Sequence, residues 1–140
     1  MQLAVMSCCN RQWIKRMHTI TNDGQFLKVL LDGKFNEKEL LVTQKELMSH
    51  PEYAFKNSMW IFSNAFQPVL SPTSIDLLIE RIKLLFPEVA KKDKAALVSC
   101  SNTQNAILQV ICSKFDAASV PFKFRAFQDY HEAVSWLTNN

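Results

Sequence analysis

Two glycines in 140 residues, Gly24 and Gly33, are too few for a phosphate-cradling loop, and neither belongs to a GxGxxG or GxxxxGK pattern. Nucleotide chemistry of that kind is excluded. Sixteen basic against thirteen acidic side chains leave a formal charge of +3, without the clustered excess by which proteins neutralise nucleic-acid phosphates. A nucleic-acid partner is therefore not expected. No apolar run reaches the ~18 residues that a membrane-spanning helix needs. A hydrophobic content of 48% is also too rich for a disordered chain. The three histidines, His18, His50 and His131, are scattered and no Cys-x-x-Cys occurs, so a metal site has no ligand grammar and no cofactor is implied. The four cysteines, vicinal Cys8 and Cys9 with Cys100 and Cys112 in apolar patterns, make a poor disulfide framework. A reducing cytoplasm is the expected compartment.

What is present reads as one domain of ordinary size. The opening MQLAVMSCCNRQWIKR lacks a basic residue before its short apolar stretch, which argues against a signal peptide, and Gln2 stands where N-myristoylation requires glycine. Residues 1–16 read as a loosely ordered leader or an extension of the first strand, with Met1 and Met17 both open as the native start, and residues 17–140 as the domain. Alternation from Trp13 to Ile20 predicts a strand, Thr21-Asn22-Asp23-Gly24 a turn, and Gln25–Leu31 the returning strand. Asn36 with Glu39 makes a capping box for a helix that buries Leu40, Leu41, Leu47 and Met48 and stops at His50-Pro51.

The continuous apolar run Met59-Trp60-Ile61-Phe62 after Ser58 predicts a central strand covered on both faces. Ser71 and Pro72 suit the cap and first position of a helix whose apolar stripe is Ile75, Leu78, Ile79, Ile82 and Leu85. A strand over Ala95–Ser99 follows the solvated Lys91-Lys92-Asp93-Lys94. A helix from Ser101, boxed by Gln104, then runs toward Phe115, and a last strand over Phe122–Phe127 precedes a closing helix capped by Asp129 with Glu132. The order β-β-α-β-α-β-α-β-α predicts an α/β fold: one mixed, mostly parallel five-stranded sheet with about four helices and an antiparallel edge strand. Ligands in such folds sit beyond the carboxyl ends of the strands. Those positions are Ser63–Leu70 with Ser71, Cys100–Thr103, and Gln128-Asp129.

The segments DGQFLKVLLDGKFNEKEL, HPEYAFKNSMWIF, KAALVS and FKFRAFQDYHEAVSWL carry a resemblance to the SpoIIAA-like branch of the STAS domain family, whose fold is also compared with the CRAL-TRIO lipid carriers. The resemblance spans Met17 to Leu137. It implies a bacterial regulatory module that binds a protein partner through the loop and helix start after the central strand. In antagonists of that type a serine in Asp-Ser-Ser/Thr-Gly is phosphorylated. The corresponding stretch here is Ser71-Pro72-Thr73-Ser74, with Pro72 at the phosphorylated position, so only Ser71 or Thr73 is left to carry a phosphate. The plain alternative is that Ser71 and Ser74 cap the helix. The branch also commonly has an acidic residue at the end of the central strand, and a glycine and an arginine in the helix near Ser101. Asn64 and the stretch Asn105–Gln109 stand in those places here.

Catalysis would need a nucleophile, a base and an orienting group. The nearest set is Cys100, His131 and Asp129, with nothing in the sequence pairing thiol and base, so the chain is read as a non-enzyme. Ten phenylalanines and three tryptophans admit two readings. Trp60, Phe62, Phe66, Phe122, Phe124 and Trp136 would line a cavity in a carrier or sensor of a small apolar ligand or lipid. Interiors are ordinarily packed without voids, which favours a solid core instead. Phe66, Val69 and Leu70 are the apolar residues of the loop expected to be exposed, and with Ser71, Thr73 and Ser74 they form the expected binding surface for a protein partner or a membrane surface. That loop and an edge strand are also compatible with a homodimer.

Overall fold

The computed structural model of the chain describes residues 18–64, 67–69, 72–85 and 94–139. The expected leader, Phe66, Leu70 and Ser71 lie outside them. Strand β1 (His18–Asn22) pairs antiparallel with β2 (Phe26–Leu31), from His18 opposite Leu31 to Asn22 opposite Leu27. The expected turn began at Thr21, but pairing continues through Asn22, and reversal waits for Gly24, whose φ of +87° favours glycine. The Asn22 Oδ1 accepts from the Gly24 amide at 3.1 Å and the Asp23 amide donates to the Phe26 carbonyl at 2.9 Å, which closes the hairpin.

Strand β3 (Lys34–Asn36) follows after Gly33 and leads into helix α1 (Glu37–Met48). The capping box is present in full: Asn36 Oδ1 accepts from the Glu39 amide at 2.9 Å and Glu39 Oε1 from the Asn36 amide. The helix stops one turn before the proline, with Ser49 as its C-cap, and His50 Nδ1 accepts the Glu52 amide in the turn beyond. Strand β4 (Asn57–Phe62) and β5 (Gln67–Val69) come next, then helix α2 (Pro72–Leu85), β6 (Lys94–Val98), helix α3 (Asn102–Ala117), β7 (Lys123–Phe127) and helix α4 (Tyr130–Thr138). Helix α3 passes Phe115 by two residues and ends at Ala118 and Ser119, the latter at a φ of +56° in the left-handed region.

The main sheet has the order β1-β2-β4-β6-β7, parallel except for β1, so β4 is central as expected. Alternation sends Ser58, Trp60 and Phe62 of β4 to one face and Met59 and Ile61 to the other. The first face carries Leu27, Val29, Leu31, Ala95 and Leu97 and is covered by α1, α2 and α3. The second carries Phe26, Ala96, Val98 and Phe127 and is covered by α4 through Ala133 and Leu137. Ile75, Leu78, Ile79 and Ile82 of α2 are buried at the spacing of one helical face.

Two features depart from the expected plan. The first is a second, two-stranded parallel sheet in which Lys34–Asn36 pair with Gln67–Val69, so part of the loop expected to be free is a strand. Its anchor is Phe35, which is fully buried opposite Pro68. The second is Lys94, expected in a solvated turn. It opens β6 and its Nζ donates to the carbonyls of Trp136 (2.8 Å) and Asn139 (2.5 Å), latching the end of α4. Asn57 adds to the latch, donating to the Leu137 carbonyl at 3.1 Å and accepting the Lys94 amide at 3.0 Å.

Candidate functional site

Two regions of the domain carry more than packing. At the carboxyl ends of the strands, the Ser63 amide extends the β2–β4 ladder by donating to the Leu31 carbonyl, and its hydroxyl donates to Asp32 Oδ1 at 2.5 Å. Gln104, in the first turn of α3, ties this edge together. Its Nε2 donates to the Ser63 carbonyl at 3.0 Å and its Oε1 accepts the Cys100 amide at 2.8 Å. The expected box at Ser101 is thus half formed. Ser101 Oγ accepts the Gln104 amide, but the glutamine reaches back one residue further, to Cys100, because its other end is held on the central strand. Gln128 Nε2 donates to Asn102 Oδ1 at 2.7 Å, and the Ser99 amide and hydroxyl both donate to the Phe127 carbonyl. Buried or half-buried donors at this edge are therefore spent on internal bonds.

The catalytic candidates are spent likewise. Cys100 Sγ donates to the Phe62 carbonyl at 3.0 Å. Asp129 caps α4, its Oδ1 accepting the amides of His131 (2.7 Å) and Glu132 (3.2 Å). The His131 ring is exposed and stands edge-on to Tyr130. Among the described residues, no three His, Cys, Asp or Glu side chains cluster as a metal ion would require, and no helix is long and apolar enough to cross a membrane.

Of the expected partner-binding residues, Val69 has its backbone in β5 opposite Asn36. Thr73 is exposed in the first turn of α2, and Ser74 is buried at 2% exposure, turned into the domain and away from any surface contact. Of the six expected residues Val69, Thr73 and Ser74 are described, and Thr73 is the one whose side chain is seen exposed.

The second region is a cavity of about 570 Å³ between the sheet and helices α1, α2 and α3. Its floor is the first face of the sheet, with Leu31, Trp60, Phe62 and Leu97. Leu40, Leu47 and Met48 wall it from α1, Ile75, Leu78 and Ile82 from α2, and Ile107, Leu108, Val110 and Ile111 from α3. An aromatic group closes one end: Phe124 lies 4.1 Å from Phe115 and 5.0 Å from Phe122 between ring centroids. Four of the six aromatics expected around a cavity therefore line it. Trp136 does not, since α4 holds it on the opposite face of the sheet against Phe127, at 5.6 Å.

Few polar groups enter the cavity, and most are tied down. Gln44, buried on α1, donates to the Leu78 carbonyl of α2 and accepts from Arg81 Nε, both at 3.2 Å, which fixes the spacing of the two helices. Sequence reasoning missed this residue, because a glutamine on a helix is ordinarily a solvent-facing side chain. Tyr53 is buried at the cavity wall, and burial pushes its phenol above the ordinary tyrosine range. Lys114 stands at the rim with Nζ 3.7 Å from Asp76 Oδ1 on α2. Ile107 and Val110, which also line the cavity, are about half exposed, so its wall on α3 reaches the surface.

The mixed five-stranded sheet, its antiparallel edge strand and its four helices define an α/β protein with a SpoIIAA-like, STAS-like fold. Among solved structures the chain is similar to an uncharacterised protein of the DUF3478 family with a SpoIIAA-like fold from Shewanella loihica PV-4. The identity is 15%, the TM-score 0.50, and the match covers 90% of this chain and 99% of that one. No family model and no curated protein matches the sequence.

Proposed function

We propose that the protein is a non-enzymatic binding module that holds a small apolar ligand or lipid between its sheet and helices α1–α3. One observation carries this reading. Protein interiors are close-packed, yet here about 570 Å³ stands open against Trp60, Phe62 and Phe124, within the range of small-ligand pockets and walled almost wholly by hydrocarbon. Partner capture through Phe66–Ser74, the other reading the sequence raises, has less behind it: Ser74 is buried and residues 67–69 are engaged with β3.

A native mass spectrum of the protein purified from its own host tests the proposal, paired with a denatured one. The expected result is an apolar adduct present in the first and lost in the second. Trp60 supplies an independent readout, because dodecanol entering the cavity would change its emission while Trp60→Phe would abolish that change. A bare chain that also fails to take up dodecanol would overturn the reading.

A further inference from the structure

Resting on that reading, we infer that the occupant is an amphipath with an anionic head, its apolar tail in the cavity and its head at Lys114. Among the described residues lining the cavity, Lys114 is the one that bears a charge at neutral pH. Lys114 sits where α3 reaches the surface beside Val110, so a head group there stays in contact with water while the tail is desolvated. Its present partner is replaceable. Asp76 lies 3.7 Å away, with side-chain exposures of 40% for Lys114 and 66% for Asp76, and exposed pairs of this kind contribute little to stability. A ligand carboxylate fixed by its own buried tail competes with Asp76 from a higher effective concentration. The two glutamines of the lining cannot discriminate in the same way. Gln44 is committed at both ends of its amide to α2, and Gln104 at both ends to Ser63 and Cys100.

Dodecanoate and dodecanol, matched in tail and different in head, separate this inference from the reading beneath it. Both are titrated at low salt, below micelle formation, against the wild-type chain, Lys114→Met and Asp76→Asn, with Trp60 emission as the signal and circular dichroism as the check on folding. The expected result is a preference for dodecanoate of about fivefold in the wild type, the upper scale of one ion pair at a partly exposed site. Lys114→Met should erase that preference, read as the ratio of the two affinities within the variant, whereas Asp76→Asn should strengthen dodecanoate binding by removing its competitor. Equal affinity for the two ligands, or a preference that survives Lys114→Met, would overturn the anionic head and leave the apolar cavity standing. Failure of both ligands to bind would remove the cavity reading and this inference together.

Discussion

Single residues set how the domain responds to alkali. Burial pushes the Cys112 thiol from 9.0 up to about 11, with Asp116 adding to the effect, and burial alone pushes the Tyr53 phenol above its ordinary 10.0. Both groups hold their protons more tightly folded than unfolded. Their contribution is therefore complete below the unfolded-state values and is lost as pH rises past them toward the folded-state values. Stability to urea is expected to hold up to pH ~9 and then fall, first through Cys112 and above pH ~10 through Tyr53 as well. Urea midpoints measured across that span check this, with Cys112→Ala and Tyr53→Phe each predicted to flatten its own part of the decline. A decline of unchanged shape in both variants would place the alkaline sensitivity elsewhere.

At the level of elements, what was legible in the sequence was what local chemistry decides. Asn36 with Glu39, Pro72 at the head of α2, Ser101, and Asp129 are all read from a few neighbouring residues, and each stands at a helix start. The central strand was legible because no polar residue interrupts Met59–Phe62. Strands β3 and β5 were not. Each has three residues, too short for a period, and one contains Pro68, which argues against a strand when no partner is in view. Their pairing is decided by tertiary placement, with Phe35 as the anchor. Phe35→Ala should accordingly cost ~3–5 kcal/mol in urea unfolding, the range for a fully buried phenylalanine. It should also raise hydrogen exchange at the Gln67 and Val69 amides beyond the change in β1. Uniform loss of protection across both sheets would mean that β3 and β5 have no stability separable from the rest.

At the scale of the whole molecule, the sequence could not distinguish a packed core from an open one. Ile75, Leu78 and Ile82, or Leu108 and Ile111, have the same helical spacing whether they meet other side chains or face empty space, because the spacing records which face turns inward and not how far away the sheet lies. That distance is set by contacts beyond any one helix, such as the bonds of Gln44 to Leu78 and Arg81 and the hold of Gln104 on the central strand. The candidate site is therefore a property of how three helices are spaced over one face, while α4 packs the other with Ala133 and Leu137. A substitution that adds volume tests this directly. In a close-packed interior, extra methylenes cost ~1–3 kcal/mol, whereas filling a real cavity commonly stabilises by ~0.5–2 kcal/mol. Ile111→Phe places a larger apolar side chain on the α3 wall, where helix propensity is nearly unchanged. The expected outcome is a urea midpoint equal to or above that of the wild type, together with weaker uptake of dodecanol. A midpoint lowered by ~1 kcal/mol or more, with uptake intact, would show that this wall is packed and that the ligand binds elsewhere.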